Sequence, residues 1–175
     1  MDDARTVNLT GAVALGLATD MTAAVEAATG LTATEVAALT TLANWADGQS
    51  IDRLREVTAL SQPGCARLVD RLVAAGLARR DRDAADRRVT RVWLTAAGRR
   101  AVTRSRDARA DAVRRWLAAL PDADRRGFAA SLEVLAGVGV DGPVAANRRC
   151  RLCDTTACGN GPDCPVTRAV PGSTA

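Results

Sequence analysis

Four cysteines near the end of this chain have chemistry written into their spacing. Cys150-x2-Cys153-x4-Cys158-x5-Cys164 places four thiols within 15 residues, beside Arg148, Arg149 and Arg151. Gly159, Gly161 and Pro162 let that loop fold back on itself. In a chain read as intracellular, four soft ligands at short spacing point to a metal centre rather than to disulfides. A segment this short has little core of its own, so a bound metal would have to order it. Zinc held by four thiolates usually shows two C-x2-C pairs, and here there is one. The compact loop, with Pro165 directly after Cys164, favours a cubane [4Fe–4S] cluster, zinc being the alternative. Cys65 stands alone, well before these four.

Histidine is absent. That excludes Ser-His-Asp and Cys-His catalysis, His-bound haem and every zinc site that uses imidazole. With no positioned acid–base pair either, no catalytic residue is assigned; a metalloenzyme or electron carrier would have only the cluster to work with.

The second chemical feature is arginine. The chain has no lysine, so all 24 basic residues are Arg. Between Arg79 and Arg115 there are 13 of them against five acids, a net of +8, while the rest of the chain carries −4. Such a stretch suggests a surface that meets an anion, and Arg suits both phosphate and guanine edges. The plainer reading is a solvated helix face in a chain that uses Arg wherever others use Lys.

These residues need a scaffold. At 175 residues, 47% hydrophobic and 25% charged, the chain can bury a core and stay soluble. Aromatics are 2%, so the core must come from Ala, Leu and Val, which favours packed helices. No apolar run is long enough to span a bilayer and the opening MDDARTV is no signal peptide, so a soluble, cytoplasmic protein is expected, with no membrane partner.

Along the chain, Val13, Leu17, Met21 and Val25 form an apolar stripe at helical spacing. Thr32 and Glu35 have capping-box spacing and open a helix to about Trp45. Ser50 can cap a short helix and Ser61 a second, Pro63 being tolerated in its first turn; the turn between them gives helix-turn-helix spacing. The second helix should turn Leu68, Val69, Leu72 and Val73 inward and end at Gly76. Strands are expected at 78–80 and 90–94, joined by a charged loop over 81–88. Thr95 can cap a long Arg-rich helix to about Leu120. Pro121 restarts a last helix that carries Phe128, Leu132, Leu135 and Val138 on one face. The Gly- and Pro-bearing stretch 137–143 then separates a body from the Cys-rich tail.

In their order, "LTATEVAALTTLANW", "ARLVDRLVAAGLARR", "DAADRR" and "VWLTAAGRR" resemble the MarR family of winged helix-turn-helix transcriptional regulators, most strongly over 61–100. The resemblance implies a mainly α fold with a small β-hairpin wing. Residues 1–30 would be a dimerisation helix, 31–97 the DNA-binding domain, 98–140 further dimerisation helices, and 141–175 a metal-binding tail outside the family pattern. It implies a homodimer that reads a pseudo-palindromic operator in double-stranded DNA and acts as a repressor, with a small-molecule ligand as a further partner. Two recognition helices about 34 Å apart would enter successive major grooves.

On that helix Ser61, Gln62, Gly64, Arg67 and Arg71 are the expected DNA contacts: Gln can pair with adenine, and Arg with guanine or phosphate. The family often has hydroxyl residues where this chain has Pro63, Gly64 and Ala66. Asp70 should orient a neighbouring Arg rather than meet DNA. Cys65 falls where the family places an apolar residue on the inner face of this helix, so the resemblance implies a buried, inert thiol rather than a redox switch. On the wing, Arg87 and Arg88 resemble the family's tip arginines, one of which enters the minor groove, with Asp83 and Asp86 in support. The alternative for these four is an ion-pair cluster that only shapes the hairpin. Two further readings stay open: a regulator whose sensor is a small apolar ligand while a zinc tail is purely structural, and a winged-helix protein-interaction module. If the tail holds a cluster, the protein could sense iron or redox state.

Overall fold

The computed structural model describes residues 3–45, 48–83, 87–159 and 161–172. Helix α1 (Asp3–Thr29) is followed by α2 (Ala33–Asn44), a two-residue strand β1 (Gln49–Ser50), α3 (Ile51–Thr58) and α4 (Gln62–Ala74). The hairpin β2 (Ala78–Arg82) and β3 (Thr90–Leu94) leads into α5 (Ala96–Leu117) and α6 (Asp122–Leu135). The tail forms α7 (Pro143–Cys150), a 3-10 turn (Gly161–Asp163) and α8 (Pro165–Arg168).

The helix starts are those the sequence offers. Thr32 Oγ1 accepts from the Glu35 N–H while the Glu35 carboxylate accepts from the Thr32 N–H, a complete capping box. Ser50, Ser61 and Thr95 each accept a backbone N–H three residues on. At the end of α4, Leu77 N–H donates to Leu72 O and Gly76 N–H to Val73 O, with Gly76 at φ +68°. That is the six-to-one and five-to-two pairing that closes a helix on a left-handed glycine.

The core lies where α2, α3, α4, β3 and α5 meet. Leu39, Leu42, Leu54, Leu68 and Leu72 are fully buried there, each contributing about 1.5–3 kcal/mol of burial. Three expectations need correcting. Val73 is not inward but 37% exposed, and the inner face of α4 is completed by Cys65 instead. Strand β2 runs to Arg82, so the wing loop is shorter than 81–88. The sheet has a third strand: β1 pairs antiparallel with β3, giving the order β1-β3-β2, with Gln49 opposite Val92 and Arg82 opposite Thr90.

Helix α1 lies along α5. The Trp116 ring covers Gly16, where a Cβ would sit 2.8 Å from it, and Trp116 Nε1–H donates to Asp20 at 2.7 Å. The stripe on α1 is buried only at its far end: Val25 is covered, Leu17 and Met21 half-covered, Val13 exposed. No residue of α6 is buried, and Phe128, Leu132, Leu135 and Val138 all face outward. The tail has a small core of its own, Val140, Cys164 and Val166, against Ala136, Ala146 and Ala169. Among the described residues no helix is long and apolar enough to cross a membrane.

Candidate nucleic-acid interface and the cysteine cavity

Helix α4 buries one face in the core and leaves the other in solvent. Ser61, Gln62, Arg67, Asp70 and Arg71 are exposed and Gly64 is half-exposed. Ser61 is occupied as the cap, its Oγ accepting from Gly64 N–H. Among the described residues nothing engages the side chains of Gln62 and Arg67, which lie exposed on the solvent face of α4. Arg71 does not: its Nε lies 3.0 Å from Glu35 Oε1. Burial pushes the Glu35 carboxyl up, but the Thr32 N–H, the Arg71 guanidinium and the Thr32 hydroxyl outweigh it and hold the carboxyl below its ordinary value.

Asp70 orients a neighbouring arginine, as its charge suggests. Arg80 Nη1 is 2.6 Å from Asp70 Oδ1, and Arg80 Nη2 donates to Ala66 O at 3.1 Å. Strand β2 is thereby fastened to the flank of α4, and the wing is fixed relative to that helix. The base of the wing is held by Arg91, which pairs with Asp83 and donates to Gly48 O at 2.9 Å. Asp83 N–H also donates to Val89 O, closing the loop. Asp83 thereby ties the wing loop to β3 through Arg91. Asp86 lies outside the described residues. Arg87 and Arg88 are exposed at the tip. Arg79, which the sequence did not single out, stacks 5.2 Å from the centre of the Trp93 ring and pairs with Asp81.

Cys65 is fully buried and its thiol lies 3.6 Å from Ile51 O; burial pushes its pKa up, as expected of an inert thiol. The four tail cysteines behave otherwise. Cys150, Cys153, Cys158 and Cys164 line one cavity of about 500 Å³ including its mouth, with Trp45 and Thr155 on its wall. All four are free thiols. A hydrogen bond from Cys150 lowers Cys153 to about 6 against the pull of burial, aided by Arg109, Arg151 and Arg106, while Cys150 is raised in turn. Arg109 Nη2 lies 3.9 Å from Cys153 Sγ.

The tail is anchored at both sides. Arg148 Nε donates to Glu56 O in α3 at 2.8 Å, and Asn44 Nδ2 donates to Cys153 O at 3.1 Å. Arg106 of α5 binds Asn44 and lies 3.7 Å from Asp154. On the other side Arg168 pairs with Glu133 of α6 at 3.0 Å, and Arg149 donates to Val138 O at 2.7 Å. Asn44, Arg106 and Arg109 were not read as functional from sequence; nothing local marks them, because their partners are distant along the chain. Arg151 and Leu152 enter a second cleft, lined also by Met21, Val25, Val36 and Arg109.

Residues 29–89 match the family model for MarR. About a third of the chain thus resembles that family, the part that holds most of the winged helix described above. The match covers the helix-turn-helix and most of the wing but not α5, α6 or the tail. Solved structures share the fold more widely. YusO from Bacillus subtilis superposes with a TM-score of 0.68 at 20% identity, over 79% of this chain and 99% of that one. A MarR transcriptional regulator from Methanosarcina mazei Go1 gives 0.59 at 23%, over 73% and 94%. An S. aureus MepR mutant bound to an oligodeoxyribonucleotide gives 0.60 at 18%, over 73% and 92%. Each of these three comparisons leaves at least a fifth of this chain uncovered, whereas the other chain is covered nearly whole. No protein of curated function matches the chain. At such identities the likeness is one of fold, and the chemistry of this winged helix must be read from its own side chains.

Proposed function

We propose that this chain is a transcriptional regulator that binds double-stranded DNA as a homodimer. The observation that carries the reading is α4: Gln62 and Arg67 stand exposed and unengaged on a helix whose opposite face is locked in the core. Those are the two side-chain types that read adenine and guanine edges in the major groove. The wing adds Arg87 and Arg88, suited to a narrow minor groove. The MarR match over 29–89 and the oligodeoxyribonucleotide bound to MepR, a protein of the same fold, support it.

The dimer follows from the apolar faces that one chain leaves uncovered. Leu9 and Val13 of α1 and Phe128, Leu132 and Leu135 of α6 are 39–56% exposed, a combination a monomer rarely tolerates. A second copy, related by a two-fold axis, would bury both faces and pair the recognition helices for a pseudo-palindrome. A dimer seated on a promoter excludes polymerase from that stretch, so repression is the simplest mode of action, in the cytoplasm where the DNA is. We assign no catalytic role: the chain has no histidine to activate a nucleophile, and Cys65 is sealed in the core.

Selection of duplexes from a random pool, followed by titration at physiological salt, tests the reading. The expected result is one preferred pseudo-palindrome, bound at least about 10³-fold tighter than the pool. Equal affinity for all duplexes would leave the winged helix as a scaffold for protein contacts and overturn the proposal.

A further inference from the structure

Three features of the tail converge on one site. The four cysteines arrive from three separate pieces of backbone: the end of α7, the turn after it, and the residue that begins α8. They surround a shared cavity rather than scatter over the surface. Cationic groups from a different part of the fold, led by Arg109, face their sulfurs, as an anionic thiolate centre needs.

The choice between centres rests on the spacing. A four-thiolate zinc site usually draws on two C-x2-C pairs, and this segment has one, Cys150 and Cys153, which hydrogen-bond to each other. Cys158 and Cys164 enter at longer spacings, with Pro165 directly after the last, and line the same cavity. Among the described residues no three Cys, Asp or Glu side chains are gathered as around a single ion, so a bound centre would have to draw the four thiols in.

The place of the cavity matters as much as its lining. One wall is tied to α2 and α3 through Asn44 and Glu56, and the other to α6 through Glu133 and to the turn after it through Val138. The segment therefore joins the DNA-reading domain to the helix that would meet the second subunit. Its own apolar core is small, and one of its three buried members, Cys164, is itself a candidate ligand. Without a bound centre little holds it together.

We propose that Cys150, Cys153, Cys158 and Cys164 hold a [4Fe–4S] cluster that locks the tail between α3 and α6 and thereby sets DNA affinity. Each thiol gives up its proton to solvent and enters as thiolate, one per iron. The site stands on the tail alone; only the effect on affinity rests on the DNA-binding reading above. Emptying the site frees the tail, lets α6 and α4 move relative to each other, and spoils the match between two half-sites.

The full chain, purified without air or rebuilt with ferrous iron and sulfide, is analysed for iron, sulfide and zinc and by visible absorption. About four irons and four sulfides per chain, in a brown protein, are expected. A colourless protein with one zinc per chain, or one that takes up no metal, overturns the cluster. Cys158→Ser, at the most exposed ligand, should lose the colour while keeping its helical circular dichroism; full iron retention would remove Cys158 from the site. The duplex selected above should bind on the order of tenfold more weakly after chelation. Equal affinity with and without cluster overturns the coupling. A brown protein with no preferred duplex refutes the DNA reading and still supports the metal site.

Discussion

Gly98 gives the sharpest test of how the wing is held. It sits in the first turn of α5, where its N–H is capped by Thr95 Oγ1 at 3.0 Å. A Cβ there would fall 2.1 Å from Leu77 O and 3.0 Å from Leu94 Cδ2. The first is a backbone atom with no freedom to retreat. Leu77 closes the end of α4 through its N–H, and its carbonyl accepts from Thr95 N–H at 3.1 Å. Gly98→Ala therefore sets two effects against each other. Helix propensity favours Ala by about 1 kcal/mol. Overpacking against a fixed carbonyl costs about 3 kcal/mol, the upper end for inserted carbons. The net is a loss of about 2 kcal/mol, or a urea midpoint lowered by about 1 M for a slope near 2 kcal/mol per molar. Gly127→Ala is the control: the same exchange in helix α6, with nothing within 4 Å of the added carbon, should be neutral or stabilising by up to about 1 kcal/mol. Urea melts of both variants at equal protein concentration decide the matter. A midpoint for Gly98→Ala at or above that of the parent would mean that α5 does not press on Leu77, and the account of how wing and recognition helix share one frame would fail.

Other outcomes follow from named contacts. Because the Glu35 carboxyl is held below its ordinary value, its contribution to stability is complete above the unfolded pKa and is lost as pH falls through the folded one. Glu35→Gln should thus flatten the acid limb of a stability–pH curve while costing only about 0.5 kcal/mol at neutral pH, since Arg71 is well exposed. The same change releases Arg71, and a steeper salt dependence of DNA binding would show it reaching phosphate. Arg88→Ala should weaken binding and lower the salt slope by about one per subunit; an unchanged slope would leave Arg88 as a hairpin brace. Leu132→Asp should give a folded monomer by sedimentation, because α6 buries nothing within one chain, and reduce operator affinity at least about 10²-fold. A dimer unaffected by that charge would place the interface elsewhere.

Local chemistry was legible in the sequence. The caps at Thr32, Ser50, Ser61 and Thr95 and the terminating Gly76 depend on neighbours within five residues, so spacing alone identified them. Strand β3 was legible because Val92 and Leu94 alternate with Arg91 and Trp93. Strand β1 was not, since two residues carry no period and their pairing with β3 is a tertiary event. Val73 misled because it continues the apolar spacing of α4 one position beyond the part of the helix that the core covers. The cysteines could be grouped from spacing, but neither the cavity nor its anchors could. Asn44 reads as the polar end of a helix, and only the folded chain brings it against the backbone of Cys153.

Charge shows the same limit and bears directly on the DNA footprint. The stretch from Arg79 to Arg115 is strongly basic in sequence, which invites the reading of one continuous phosphate-binding surface. In the fold much of that charge already has an internal partner. Arg79 pairs with Asp81, Arg80 with Asp70, Arg91 with Asp83 and Arg114 with Asp111, while Arg106 and Arg109 turn toward the tail. An arginine held by a carboxylate contributes less to counterion release than one held by solvent, because its field is already partly cancelled. The exposed residues near the reading helix, Arg67 at its surface and Arg87 on the wing, form a small set. Binding should therefore depend less steeply on salt than thirteen arginines suggest. Most of its specificity should lie in α4, where Gln62 and Arg67 can reach base edges.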